Sequence, residues 1–130
     1  MPFNLSDKSI LLVDDSSIMR MFMTMNMRRM MRVNITEAAN GKDAVTKLMN
    51  GRFDLLMTDM NMPEMGGAEL VRFVRNGLNS DIPIVIITTL GESKDRDLGM
   101  QLGANAYLTK PVDVKELVKT VLSCLGIYKF

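Results

Sequence analysis

The 130-residue sequence predicts an α/β fold in which helices cover both faces of a parallel sheet. Three observations lead there. Short β-branched or aliphatic runs alternate with helix-length segments five times, so the chain reads as five β-α units. Three of the five runs are nearly continuous in apolar character, as strands covered on both faces must be. Asn40-Gly41, Asn50-Gly51, Asn76-Gly77 and Gly103 fall where the helical patterns start or stop.

The elements follow in order. Ser9 to Val13 forms the first run, and Ser16-Ser17 after it can cap a helix over 17–31. Val33 to Ala38 is the second strand, followed by a helix over 42–51. Asp54 to Thr58 is the third, followed by a helix over 67–77 beyond a methionine-rich loop broken by Pro63. Pro83 to Thr88 and Ala106 to Thr109 complete the strands, with helices over 94–102 and 114–125. Each right-handed crossover lays its helix back on the sheet. In the first helix, Met19, Phe22, Met23, Met27 and Met30 recur at helical spacing and are expected to form one buried stripe. Met21 and Met25 fall off that stripe; they read first as tolerant core filler spilling outward and, as the alternative, as an adaptable surface for a partner.

Composition narrows the function classes. With 16 basic and 15 acidic residues, a net charge of +1 and 47% hydrophobic residues, neither disorder nor a polyanion-binding surface is indicated. We therefore expect no nucleic-acid partner. The N-terminus lacks a cationic flank leading into an apolar segment, and no apolar run approaches the about 20 residues of a membrane span. A cytoplasmic domain without membrane insertion, occupying residues 1–130, is expected. The lone Cys124 has no partner for an internal disulfide and reads as a small hydrophobe in the last helix.

In parallel sheets of this kind, ligands bind beyond the carboxyl ends of the strands. Those ends carry Asp14-Asp15, Asp59, Thr88 and Lys110. Three converging carboxylates repel one another and raise their pKa values unless a cation neutralises them. Oxygen donors with no histidine and no cysteine cluster suit a hard ion, Mg²⁺ better than Ca²⁺. Lys110 supplies a point charge and Thr88 a hydroxyl, the groups needed to hold a phosphoryl group beside a metal. A carboxylate can itself attack phosphorus, and Asp59 is placed to do so. Because the chain has no histidine, any phosphohistidine donor must be another molecule.

These residues resemble the response-regulator receiver domains of the CheY type, over essentially the whole chain. Asp14-Asp15 is similar to the family's acidic pair, and Asp59 to Gly67, DMNMPEMGG, matches its D-x-x-M-P-x-M-x-G signature. Thr88, Tyr107 and Lys110-Pro111 stand at its hydroxyl switch, aromatic switch and Lys-Pro positions. The resemblance implies a flavodoxin-like doubly wound sheet of strand order 2-1-3-4-5. It implies Asp59 as phosphoacceptor, with Mg²⁺ bound directly by Asp15, Asp59 and the backbone carbonyl of Asn61, and by Asp14 through water. It implies that Thr88 and Lys110 assist phosphorylation, that Thr88 and Tyr107 switch, and that the peptide bond before Pro111 is often cis. A histidine kinase or histidine phosphotransfer protein would be the donor. A downstream protein, in chemotaxis or a phosphorelay, would read the face near Lys94 to Leu102, Ala106 to Thr109 and Val112 to Leu122. Such a protein catalyses only its own phosphorylation and dephosphorylation, as a monomer or a weak phosphorylation-linked dimer.

Leu90, two positions after Thr88, departs from the polar residue common in chemotaxis members and is expected to exclude water and lengthen phosphate lifetime. Haloacid-dehalogenase phosphatases also use a strand-end aspartate, but need a second one two residues on, where Asn61 cannot exchange a proton. A flavodoxin-like nucleotide site would want a glycine-rich loop where this chain has Asp14-Asp15-Ser16-Ser17. The helical pattern ends at Leu125-Gly126, so the chain reads as a stand-alone receiver or as part of a longer regulator. The lack of a charged or proline-rich linker favours the first.

Overall fold

In the computed structural model, which describes residues 3–89 and 91–127, five strands form one parallel sheet. They are β1 (Ser9–Val13), β2 (Asn34–Ala38), β3 (Leu55–Asp59), β4 (Ile84–Thr89) and β5 (Ala106–Lys110), in the expected order β2-β1-β3-β4-β5. The helices are α1 (Ser17–Met31), α2 (Gly41–Asn50), α3 (Gly67–Arg72), α4 (Ser93–Leu102) and α5 (Val114–Cys124). Strand bounds differ from the sequence reading by a residue or so. Leu90 lies outside the described residues.

Alternation along the strands builds two cores. Ile10 and Leu12 of β1, Leu55 and Met57 of β3, and Val85 and Ile87 of β4 point to one face, where they pack against α1 and α5. Leu11, Val13, Leu56, Ile84 and Ile86 point to the other, against residues of α2 and α3. The central strands β1, β3 and β4 are therefore buried on both faces, while β2 and β5 are the edges and are more exposed. Three helices begin with a side-chain cap: Ser16 accepts from Met19 N, Asn40 from Asp43 N and Asp113 from Glu116 N.

Two expectations need correction. The buried residues of α1 are Met23, Thr24, Met27 and Met31. Met19 is only partly buried, and Phe22 and Met30 are each 40% exposed. The helix carries methionine on several sides, so apolar spacing alone leaves its rotation poorly fixed. Packing turns the Thr24 and Met31 side inward. The helix expected over 67–77 is α-helical only to Arg72 and then widens into one π turn, Phe73–Gly77. That turn carries Arg75, whose guanidinium donates to the carbonyls of Ser80, Ile82 and Gly103 and to Asn105 Oδ1. It ties the end of α3 to the entry of β4 and to the connection between α4 and β5.

The buried methionines carry the energetic weight of α1. Met27→Ala should cost about 2–5 kcal/mol in urea denaturation, whereas Met21→Ala, at an exposed position, should stay within about 0.5 kcal/mol. Equal costs would mean that α1 sits in a different rotation.

Candidate functional site

The sheet register brings the chemical residues to one edge. Val13 is level with Thr58, so Asp14 and Asp59, each one residue further, emerge side by side. Asp59 is level with Ile87 on β4, which places Thr88 just beyond, and Lys110 is level with Thr89. Asp14, Asp59 and Thr88 are buried, while Asp15 and Asn61 are exposed.

Asp14 is fixed by its own turn. Its Oδ1 accepts from Ser16 N at 2.8 Å, and Ser16 in turn caps α1, so the acidic pair and the helix cap are one local structure. Its Oδ2 is buried without a hydrogen-bond partner and lies 3.3 Å from Lys110 Nζ. Lys110 donates to Asp59 Oδ2 at 3.1 Å, and Asn61 N donates to Asp59 Oδ1 at 3.3 Å. Among the described residues, Thr88 Oγ1 makes only a long bond, 3.5 Å, to the Leu108 carbonyl. The Lys110-Pro111 peptide is cis. Gly67 closes the loop after Asp59 by close approach: a Cβ there would meet the Asp59 carbonyl at 2.4 Å, so only glycine fits without displacement.

The charges are unbalanced. Burial pushes the Asp59 carboxyl above its ordinary value, against the opposing pull of Lys110, with Asp14 adding to the rise. Burial also draws the Lys110 ammonium down, but its bond to Asp59 and the two nearby carboxylates outweigh this and leave it raised. Carboxylate oxygens of Asp14, Asp15 and Asp59 lie within 4.8 Å of one another. The buried Asp14 Oδ2, which has an ion-pair partner in Lys110 but no hydrogen bond, and the all-oxygen donor set fit a hard divalent cation such as Mg²⁺.

Tyr107 is 43% exposed, with the Arg96 guanidinium carbon 5.3 Å from its ring centroid. Arg96 and Asp95 lie within the expected Lys94 to Leu102 face, but their individual roles carry no signal in the sequence; Asp95 accepts from Asn61 Nδ2 at 2.9 Å, and Arg20 donates to the Asp14 carbonyl and, at 2.9 Å, to Glu37 Oε1. Nothing in the spacing of these polar residues marks a long-range partner.

The family profile "Response regulator receiver domain" matches residues 10–122. The chain belongs to the receiver family. This receiver is 38% identical over 118 residues to chemotaxis protein CheY1 of Helicobacter pylori, covering 87% of this chain and 95% of CheY1. It is 36% identical over 125 residues to sensor protein EvgS of Escherichia coli, covering 95% of this chain but only 10% of that protein. The structure of chemotaxis response regulator CheY4 of Vibrio cholerae superposes with a TM-score of 0.81 at 31% identity, covering 90% of this chain and 98% of that one. The chain is thus a CheY-like receiver of the two-component response regulators, in its order of strands as in its sequence. Receivers of this family are signalling proteins rather than enzymes acting on external substrates, and they generally bind Mg²⁺ at an acidic pocket.

The raised Asp59 value fixes the sign of a stability effect. Above its native pKa the ionised carboxylate costs stability; as pH falls from there toward the ordinary 3.8, the native state takes up a proton first and recovers that cost. In EDTA, Asp59→Asn should raise the urea midpoint at pH 7, with the gain fading over that window. A variant less stable than the parent at pH 7 would show that Lys110 fully compensates Asp59.

Proposed function

We propose that this receiver, one unit over residues 1–130, takes a phosphoryl group onto Asp59 from a phosphohistidine of a partner kinase or phosphotransfer protein. The observation that carries the reading is the buried Asp59 carboxylate paired with Lys110, which also bridges it to Asp14, with a weakly engaged Thr88 hydroxyl on the neighbouring strand. An Asp59 oxygen attacks phosphorus, the phosphorus–nitrogen bond of the donor breaks, and the electron pair leaves with the imidazole. Lys110 follows the charge from the Asp59 carboxylate to the phosphoryl oxygens, and Thr88 exchanges its long bond for one to them.

Asp15, Asp59 and the Asn61 carbonyl would hold Mg²⁺ directly and Asp14 through water; when bound, the ion supplies positive charge against the phosphoryl oxygens. Water later attacks phosphorus, the bond between phosphorus and the Asp59 oxygen breaks, inorganic phosphate leaves and the carboxylate is restored. The protein accelerates only these two reactions of its own side chain.

The donor's docking surface is the exposed side of α1. Ile18, Met21 and Met25 are exposed there, and no acidic residue occurs between Ser16 and Thr36, whereas Arg20, Arg28, Arg29 and Arg32 do. Apolar contact with an acidic rim on the partner helix suits that surface. Phosphorylated, the protein would present the face of α4, β5 and α5 to a downstream protein in the cytoplasm, in chemotaxis or a phosphorelay, as a monomer or weak dimer.

Intact mass after incubation with acetyl phosphate tests this. A single phosphoryl adduct is expected with Mg²⁺, and none with EDTA or in Asp59→Asn. An adduct that persists in Asp59→Asn would place the acceptor elsewhere.

A further inference from the structure

The start of α4 is held differently from the starts of α1, α2 and α5. Its N-cap residue, Glu92, makes no side-chain capping bond, and the preceding Gly91 has φ +92 with open space around it. The other half of α4 is fixed firmly. Gly99 lies so close to the sheet that a Cβ would meet Ile86 Cδ1 at 2.3 Å, and Arg75 binds the Gly103 carbonyl just beyond the helix. The helix is therefore anchored at its C-terminal end, while its start keeps the bond from Glu92 N to the Thr89 carbonyl and two side-chain contacts in its first turn.

Those side-chain contacts come from adjacent residues and reach the two ends of the signalling path. Asp95 Oδ2 accepts from Asn61 Nδ2 at 2.9 Å, while Asn61 N donates to Asp59 Oδ1 at 3.3 Å, so two hydrogen bonds connect the phosphoacceptor to α4. Arg96 lies over the exposed Tyr107 ring and pairs with Asp97 at 3.3 Å. Arg96 also lines a groove of about 290 Å³ with Thr88, Thr89, Glu92, Ser93 and Thr109, the switch-position hydroxyl of Thr88 among them. Arg96 thus favours the outward ring.

We propose that Asp95 and Arg96 are positioning residues that latch the resting state: Asp95 ties α4 to the Asp59 loop, and Arg96 holds Tyr107 outward. This rests on the receiver reading above. A phosphoryl group on Asp59 changes the charge beside Asn61, loosening the bond to Asp95; the first turn of α4 then pivots about Gly99 to Gly103 and carries Arg96 off the ring. Contacts made only in the resting state set its population, so removing them shifts the equilibrium without any phosphoryl group.

The test is ¹⁹F NMR of the full chain carrying 3-fluorotyrosine, with Tyr128→Phe leaving Tyr107 as the sole reporter. Beryllofluoride with Mg²⁺ on the otherwise unaltered protein defines the switched position of the signal. Without beryllofluoride, Arg96→Ala should raise the switched population about two- to five-fold, the size of an exposed cation–π contact. Asp95→Ala should move the signal the same way, while Arg96→Lys and Asp95→Asn, which keep a cation and an acceptor, should retain most of the resting position. Resting spectra of both alanine variants identical to the parent, with beryllofluoride still shifting all three, would overturn the latch and leave the receiver reading intact. A Tyr107 signal that beryllofluoride does not move in the parent would overturn both.

Discussion

Lys110 and the carboxylates of Asp14 and Asp59 set the constraint on which the rest of the molecule depends. Two buried acids share one ammonium, at 3.3 and 3.1 Å, and Asp59 remains pushed above its ordinary range. A neutral or fully paired site would be easier to fold, since burying unbalanced charge is costly. Retaining the imbalance leaves the site ready for added positive charge, or for a reaction that changes what Asp59 carries. Everything around it serves to hold this arrangement while keeping one side open to solvent, where Asp15 and Asn61 are exposed.

The double layer of helices makes that possible. With β1, β3 and β4 buried on both faces, their carboxyl ends are rigid, and register alone brings Asp14, Asp59 and Thr88 into one row. The loops beyond the strands then need little structure of their own. Ser16 turns the chain out of Asp14 into α1, and Gly67 permits the return from the Asp59 loop into α3. The contrast between a pinned C-terminal half of α4 and its uncapped start localises freedom on the side nearest Tyr107 and Thr88.

Much of this was legible in the sequence because strand burial and strand-end chemistry are local signals. The apolar runs located the central strands, and the aspartates, threonine and lysine stood out as polar residues ending them. The rotation of α1 was not legible: with methionine on several sides, spacing could not choose between Phe22 and Met31, and contacts with the sheet and α5 decide it. The π turn at Phe73–Gly77 was hidden because its Arg75 contacts span distant carbonyls. Asp95 and Arg96 look like ordinary charges of a helical first turn until tertiary structure places Asn61 and Tyr107 beside them.

Asp59 lies in an electrostatically unbalanced site that added positive charge relieves. Carbon-detected NMR titration of the Asp59 carboxyl, with and without Mg²⁺, reads that imbalance. In EDTA the Asp59 pKa should lie above that of a free aspartate, with a clear fall when Mg²⁺ is added. An ordinary value in both conditions would contradict it, because Lys110 would then already balance the site and the acidic cluster would need no cation.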